Sequence, residues 1–331
     1  MSTIEMAVPR PAGLLHAAFW RGYWVTLRPY LFFVSGAAGL VGLALTDMPA
    51  QRLWLAAAAF FLSYGLGQAL TDVFQTDTDA LSAPYRPLVR GTIARAPVLA
   101  VSLLGLLACG LVFGALNPWT LPLTLAAVVG LATYTPLKRR FWGGPPWNSA
   151  IVALLPVIGF LCAGGGPALI LTDTRLAAAA ASVFFSYAIF VLLGYFKDVD
   201  ADRCTGYQTL PVRFGRRASV LVSATFVVGA AIGSALLLRR LDSVPTSSAE
   251  GVAALLLWAA GLALLALAHV RILPVTRDAD AHSAIAMTVR GFVLLHFGEA
   301  ALLRDTLIVP LVVLYVLFEA VLAARPDARQ V

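Results

Sequence analysis

Two short stretches of this chain, Thr71-Asp72-Val73-Phe74-Gln75-Thr76-Asp77-Thr78-Asp79 and Lys197-Asp198-Val199-Asp200-Ala201-Asp202, hold six aspartates out of 17 acidic residues. On a helix, side chains four positions apart share a face, so Asp198 and Asp202 can address one site together. In the first stretch Thr71, Gln75 and Asp79 form the same i, i+4, i+8 row, with Asp72 beside it. Carboxylates gathered away from bulk water repel one another and lose solvation, so they require a cation. A small set of hard oxygen donors suits Mg²⁺, which keeps part of its water shell and bridges to phosphate oxygens. Basic side chains stand nearby in sequence: the chain's only two lysines, Lys138 and Lys197, together with Arg86, Arg90 and Arg203. Acidic rows flanked by Lys and Arg fit a metal-bound diphosphate, the metal neutralising carboxylate and phosphate while the cations take the remaining oxygens. One such acidic segment reads equally well as a solvated helix end; two matched segments favour the site.

The elements that must position these residues are membrane helices. Of 331 residues, 60% are hydrophobic and 12% charged, against roughly 45–50% and about 25% in soluble domains. That excludes an ordinary water-soluble enzyme. Apolar stretches long enough to span a bilayer cover residues 25–46, 52–71, 98–116, 119–134, 149–164, 176–196, 218–238, 252–270 and 305–324. A tenth, 282–303, is interrupted by Arg290, His296 and Glu299, and either spans or lies against the bundle. The fold class is therefore all-α, a polytopic bundle of nine or ten transmembrane helices. Residues 1–24 are expected as a cytoplasmic tail without signal-peptide character, 25–324 as the membrane domain and 325–331 as a C-terminal tail.

Connections after the second, fourth, sixth and eighth spans carry Arg86, Arg90 and Arg95; Lys138, Arg139 and Arg140; Lys197, Arg203, Arg213, Arg216 and Arg217; and Arg271 and Arg277. The alternate connections carry only Arg52, Arg175, Arg239 and Arg240. The asymmetry puts the N-terminus and both acidic segments on the cytoplasmic side, in the plasma membrane. Arg325 and Arg329 would prefer that side too, which favours ten spans. The net charge of +7 is then a topology signal facing anionic lipid, not a nucleic-acid surface. Cys109, Cys162 and Cys204 are too scattered for a disulfide framework or a zinc site.

The two acidic segments in their setting, TDVFQTDTDALSAPYRPLVRG and KDVDADRCTGYQTLPVRFG, resemble the paired motifs of the UbiA superfamily of intramembrane prenyltransferases. The first corresponds to NDxxDxxxD followed by RP or RT and a glycine, the second to DxxxD followed by a glycine and a TLPV-like stretch. Arg28-Pro29 and Tyr134-Thr135-Pro136-Leu137-Lys138 also look like family positions. The resemblance implies a helical bundle around a central cavity, closed by the two motif-bearing loops. It implies a polyprenyl diphosphate, of geranyl, farnesyl or geranylgeranyl length, bound through Mg²⁺ with its tail in an apolar chamber. Departure of diphosphate would leave an allylic cation for an aromatic or lipid-like acceptor. Such chemistry needs charge at one end and a dry chamber at the other. Carried over by position, Asp79, Asp198 and Asp202 are metal ligands, and Lys138 and Arg86 diphosphate contacts. Asp72 and Gln75 are further metal candidates. Lys197, Thr71, Asn148 and Arg28 are further diphosphate contacts, Asn148 competing with a helix-capping role, and Asp77 is a peripheral candidate.

Two departures stand out. Thr71 and Gln75 replace the family's asparagine and aspartate, and Gly194 stands where an asparagine is common before the second motif. Gln75 offers a neutral carbonyl, so the first site lacks one formal negative charge, which Asp72 is placed to restore. Aromatics near the mouth, Tyr64, Phe74, Tyr134, Tyr195 and Phe196, could face a cation or form the interfacial belt. Three functions are compatible with these features: a prenyltransferase, a terpene cyclase that captures the same cation with the substrate's own double bonds, and a cation transporter. The third would want carboxylates in mid-span rather than at span ends beside Arg and Lys.

Overall fold

The computed structural model describes residues 11–239, 248–327 and 330. Arg240, Arg329 and residues 1–10 of the expected N-terminal tail lie outside the described residues. The chain forms α1 (Ala17–Leu27), α2 (Phe32–Ala44), α3 (Ala50–Asp72), α4 (Thr76–Ser82), α5 (Arg95–Leu116), α6 (Thr120–Arg140) and α7 (Gly144–Cys162). It continues with α8 (Thr174–Gly194), α9 (Val199–Cys204), α10 (Leu210–Leu238), α11 (Ala249–Ile272), α12 (His282–Leu303) and α13 (Ile308–Ala323). Among the described residues nine helices are long and apolar enough to cross a membrane; a tenth span arises if α1 and the segment Pro29–Ala44, bent by 46°, are counted together. The first expected span, 25–46, is thus broken near its start.

The break has a local cause. Pro29 lacks a backbone N–H and disfavours helical geometry in the residue before it. Arg28 accordingly ends α1 in the left-handed region, φ 51 and ψ 70, and is the sole non-glycine residue with positive φ among those described. Such a conformation costs an L-residue about 1–2 kcal/mol. The Arg28 side chain turns inward to meet α3, and that contact offsets the strain.

The interrupted stretch 282–303 is the most buried of the nine long apolar helices rather than a surface one. α12 packs against α2, α8, α11 and α13, and its charged residues are matched by those neighbours. Arg290 makes a two-pronged pair with Glu319 of α13, at 2.7 and 2.9 Å. His296 and Glu299 join Ser186 and Ser182 of α8 at 2.8 and 2.6 Å and each other at 2.6 Å. Buried polar groups persist in such an interior only when satisfied in this way. Close approach of α11 needs glycine: a Cβ on Gly261 would collide with the Leu295 backbone. Opposite faces of the outer helices carry exposed apolar rows, such as Leu104, Leu107 and Leu111 on α5 and Leu221, Val228 and Ile232 on α10. Those rows suit lipid, which needs no polar partner.

Candidate active site

α3, α5, α6, α7 and α8 enclose a cavity of about 210 Å³. Its walls are apolar or aromatic, with Leu106, Phe113, Val128, Ile151, Leu155 and Phe190 among them. One end is different in kind. There Arg28, Asp72, Gln75, Asp79, Arg86, Lys138, Lys197 and Asp198 line the mouth, with Thr71 and Asn148 on the wall. The fold therefore brings both acidic segments to one opening. Their two short helices touch, Thr78 of α4 and Thr205 at the C-terminal end of α9 sharing a hydrogen bond of 3.0 Å.

In the first segment, the α3 row ends in Asp72, whose two carboxylate oxygens both accept from Nη2 of Arg28, at 2.9 and 2.7 Å. Gln68, one helical turn earlier, adds a donor at 2.7 Å, and Arg86 approaches to 3.7 Å. Arg86 is ion-paired with Asp79. One guanidinium thus bridges the two carboxylates while another holds the inner one. Burial raises the Asp79 carboxyl above its ordinary value; Arg86 opposes that, and the charges of Asp72 and Asp198 add to it. Burial works against the Arg86 charge, yet Asp79, Asp72 and Asp198 outweigh it and raise its pKa. Gln75 donates its amide to Thr135 at 3.0 Å, so its carbonyl oxygen is the atom that could serve a metal. Thr71 donates to the Gln68 carbonyl. Asp77 points elsewhere, to the exposed Arg139 at 2.6 Å.

The second segment divides its labour. Asp198 lines the cavity, where its carboxylate lies within electrostatic reach of Lys197, Lys138 and Arg86. Asp202, expected to face a metal beside Asp198, is instead fully buried and outside the cavity lining. Its oxygens take Lys138 at 3.1 Å and Thr209 at 3.2 Å. A carboxylate with no water contact needs a cation, and Lys138 is the one within reach. Burial raises the Asp202 pKa against the pull of Lys138. The consequence is that Lys138 is aimed: its ammonium sits 4.9 and 4.8 Å from the rings of Tyr195 and Tyr207 and still borders the cavity. Asp200 faces outward to Arg203. Asn148 is not a cap, since Gly143 occupies that position on α7.

Among the described residues no three Asp, Glu, His or Cys side chains gather closely enough to cage a metal ion. The donors present nevertheless fit Mg²⁺ in its usual mode, in which one or two carboxylates share the ion with water and substrate phosphate. Asp79 and Asp198 supply carboxylates, Gln75 a carbonyl, and Asp72 a carboxylate already committed to arginine. Sequence reasoning missed Gln68, although its position four residues before Asp72 marks it as a same-face neighbour. It also missed the hydroxyl pairs Tyr64–Tyr187 and Tyr134–Tyr195, at 2.9 and 2.8 Å, whose partners lie more than 60 residues apart.

Comparison with known proteins identifies relatives of the chain and of its fold. Residues 30–292 match the model of the UbiA prenyltransferase family. A digeranylgeranylglyceryl phosphate synthase of Natronomonas pharaonis is 33% identical over 224 residues, 65% of this chain and 77% of that protein. A protoheme IX farnesyltransferase of Geobacter sulfurreducens is 36% identical over 149 residues, 43% of this chain and 54% of that protein. The structure of a UbiA homologue from Archaeoglobus fulgidus, bound to GPP and Mg²⁺, superposes with a TM-score of 0.62 at 18% identity, covering 83% of this chain and 99% of that one.

Proposed function

We propose a reaction from one premise: the chain belongs to the UbiA prenyltransferase family. It takes a polyprenyl diphosphate into the cavity from the cytoplasmic side, tail first, and transfers the prenyl group to a lipid-like acceptor. The observation that carries this reading is the junction of an apolar chamber with a mouth holding Asp72, Asp79 and Asp198 beside Arg28, Arg86, Lys138 and Lys197. Asp79 and Asp198, with Gln75 and Asp72, would hold Mg²⁺, which supplies the charge that neutralises carboxylates and leaving diphosphate together. Lys138, aimed by Asp202, and Arg86 take diphosphate oxygens. The carbon–oxygen bond of the substrate breaks and its electron pair leaves with the diphosphate. The remaining allylic cation lies among Tyr64, Tyr134, Tyr187, Tyr195 and Phe190, which line the chamber and offer ring faces. An acceptor oxygen or carbon forms the new bond and gives up its proton. Apolar walls keep water from competing.

A lipid-like acceptor is favoured by the relative named for a glyceryl phosphate product, which matches a larger share of this chain than the farnesyltransferase of protoheme. Labelled geranyl, farnesyl and geranylgeranyl diphosphates offered to membranes holding the protein, with and without glycerol-phosphate lipid acceptors, test the proposal. A prenylated lipid that requires Mg²⁺ is expected. A hydrocarbon formed without any acceptor would identify a cyclase instead.

A further inference from the structure

Asp198 stands at a seam. α8 ends at Gly194, a single 3-10 turn runs over Tyr195–Lys197, and α9 begins at Val199. Asp198 itself has non-helical backbone angles, φ −122 and ψ 11, so no continuous helix fixes the direction of its carboxylate. Two residues from distant elements close on this seam. Arg216 of α10 donates from Nη1 to the carbonyl of Phe196 at 3.0 Å, and its guanidinium lies 5.4 Å from the Phe196 ring. Asp278, in the turn before α12, accepts the backbone N–H of Asp200 on Oδ2 at 2.8 Å. The two side chains are ion-paired through Arg216 Nη2 and Asp278 Oδ1.

We propose that the Arg216–Asp278 pair is a positioning device that brackets Lys197 and Asp198 and sets the direction of the Asp198 carboxylate toward bound metal diphosphate. The proposal rests on the reading of the site given above. The pair grips the backbone two residues before and two residues after Asp198 while neither member lines the cavity. Both are largely shielded, at 18% and 20% side-chain exposure, so the bonds are not merely surface contacts. Gly215 makes the grip possible. Its φ of 83 and ψ of 166 break α10 one residue before Arg216, in a region closed to other residue types, and redirect the chain there. The bracket also ties three elements together: the end of α8, the start of α10 and the approach to α12. A rigid seam lets Asp198 meet its ligand without first being ordered, and that benefit appears in binding rather than in the bond-breaking step.

The chemistry of the two backbone bonds supplies the test. Arg216→Ala and Asp278→Ala should each raise half-saturating Mg²⁺ and the KM for geranylgeranyl diphosphate about tenfold, with kcat at saturation within about threefold of the wild type. Asp278→Asn, which still accepts an N–H, should retain most of the wild-type affinity. The double variant Arg216→Asp with Asp278→Arg keeps an ion pair, but a carboxylate cannot donate to the Phe196 carbonyl and a guanidinium cannot accept the Asp200 N–H. It should therefore stay folded with KM still raised. Amide hydrogen exchange over residues 195–202, without substrate, should quicken about tenfold in the double variant while residues 71–79 exchange as before. Recovery of affinity by the double variant, or unchanged exchange over 195–202, would overturn the proposal. A wild-type protein with no Mg²⁺-dependent turnover of any prenyl diphosphate would instead remove the reading of the site, and the exchange result would still judge the bracket.

Discussion

In the first acidic segment the carboxylates facing the cavity are met by arginines from elsewhere in the chain: Asp72 by Arg28 at 2.7 Å, Asp79 by Arg86. In the second, Asp202 turns away to hold Lys138 at 3.1 Å, and Asp198 is left facing the cavity. In sequence the two segments read as matched rows on one helical face, Thr71, Gln75 and Asp79 with Asp72 beside them, and Asp198 with Asp202. The folded protein makes one wall whose charge is already balanced and another that spends one carboxylate on aiming a lysine and keeps one open. Identical spacing thus locates a site without dividing its labour, because the division depends on which cation each carboxylate finds when water is removed.

The comparison is most exposed to failure at Asp198. As the open carboxylate, its change to Ala should lower turnover at least about 100-fold, comparable to loss of a principal electrostatic group, with little change in thermal stability. A larger loss from Asp72→Ala than from Asp198→Ala would reverse the roles assigned to the two walls. Lys138 and Asp202 come next. Lys138→Met leaves a buried charge unpaired and should cost about 3–5 kcal/mol in a denaturation assay as well as activity. Combining it with Asp202→Leu should recover much of the stability and none of the activity, which separates the structural debt of the pair from its role in aiming the ammonium. The smallest effect is expected at Gln75. Its change to Asp adds a carboxylate to the wall whose other two are held by arginine and should lower half-saturating Mg²⁺ a few-fold, roughly the 1 kcal/mol of a partly screened charge contact. A rise in half-saturating Mg²⁺ in Gln75→Asp would mean that a carboxylate at this position does not serve the metal.

Much of the architecture was legible because a membrane helix announces itself by length and hydropathy. α12 was the exception, since Arg290, His296 and Glu299 read as interruptions while their partners, Glu319, Ser186 and Ser182, come from other helices. At the site, spacing gave the acidic rows holding Asp72, Asp79 and Asp198, and the family resemblance joined Arg86 and Lys138 to them at one mouth. Spacing could not reveal that Asp202 lies behind Lys138, or that Arg28 reaches Asp72 from 44 positions away through a left-handed turn. The family resemblance had marked Arg28-Pro29, and the turn gives that pair its physical reason: proline ends α1 and the strained residue before it is directed inward.

The central claim is that these residues hold a prenyl diphosphate through Mg²⁺. It is tested most directly by binding of a non-ionising thiodiphosphate analogue of geranylgeranyl diphosphate to the detergent-solubilised protein, with and without Mg²⁺. The account predicts affinity at least about tenfold tighter with Mg²⁺, and loss of that increment in Asp198→Ala. Equal affinity with and without Mg²⁺, or an increment unchanged in Asp198→Ala, would contradict it.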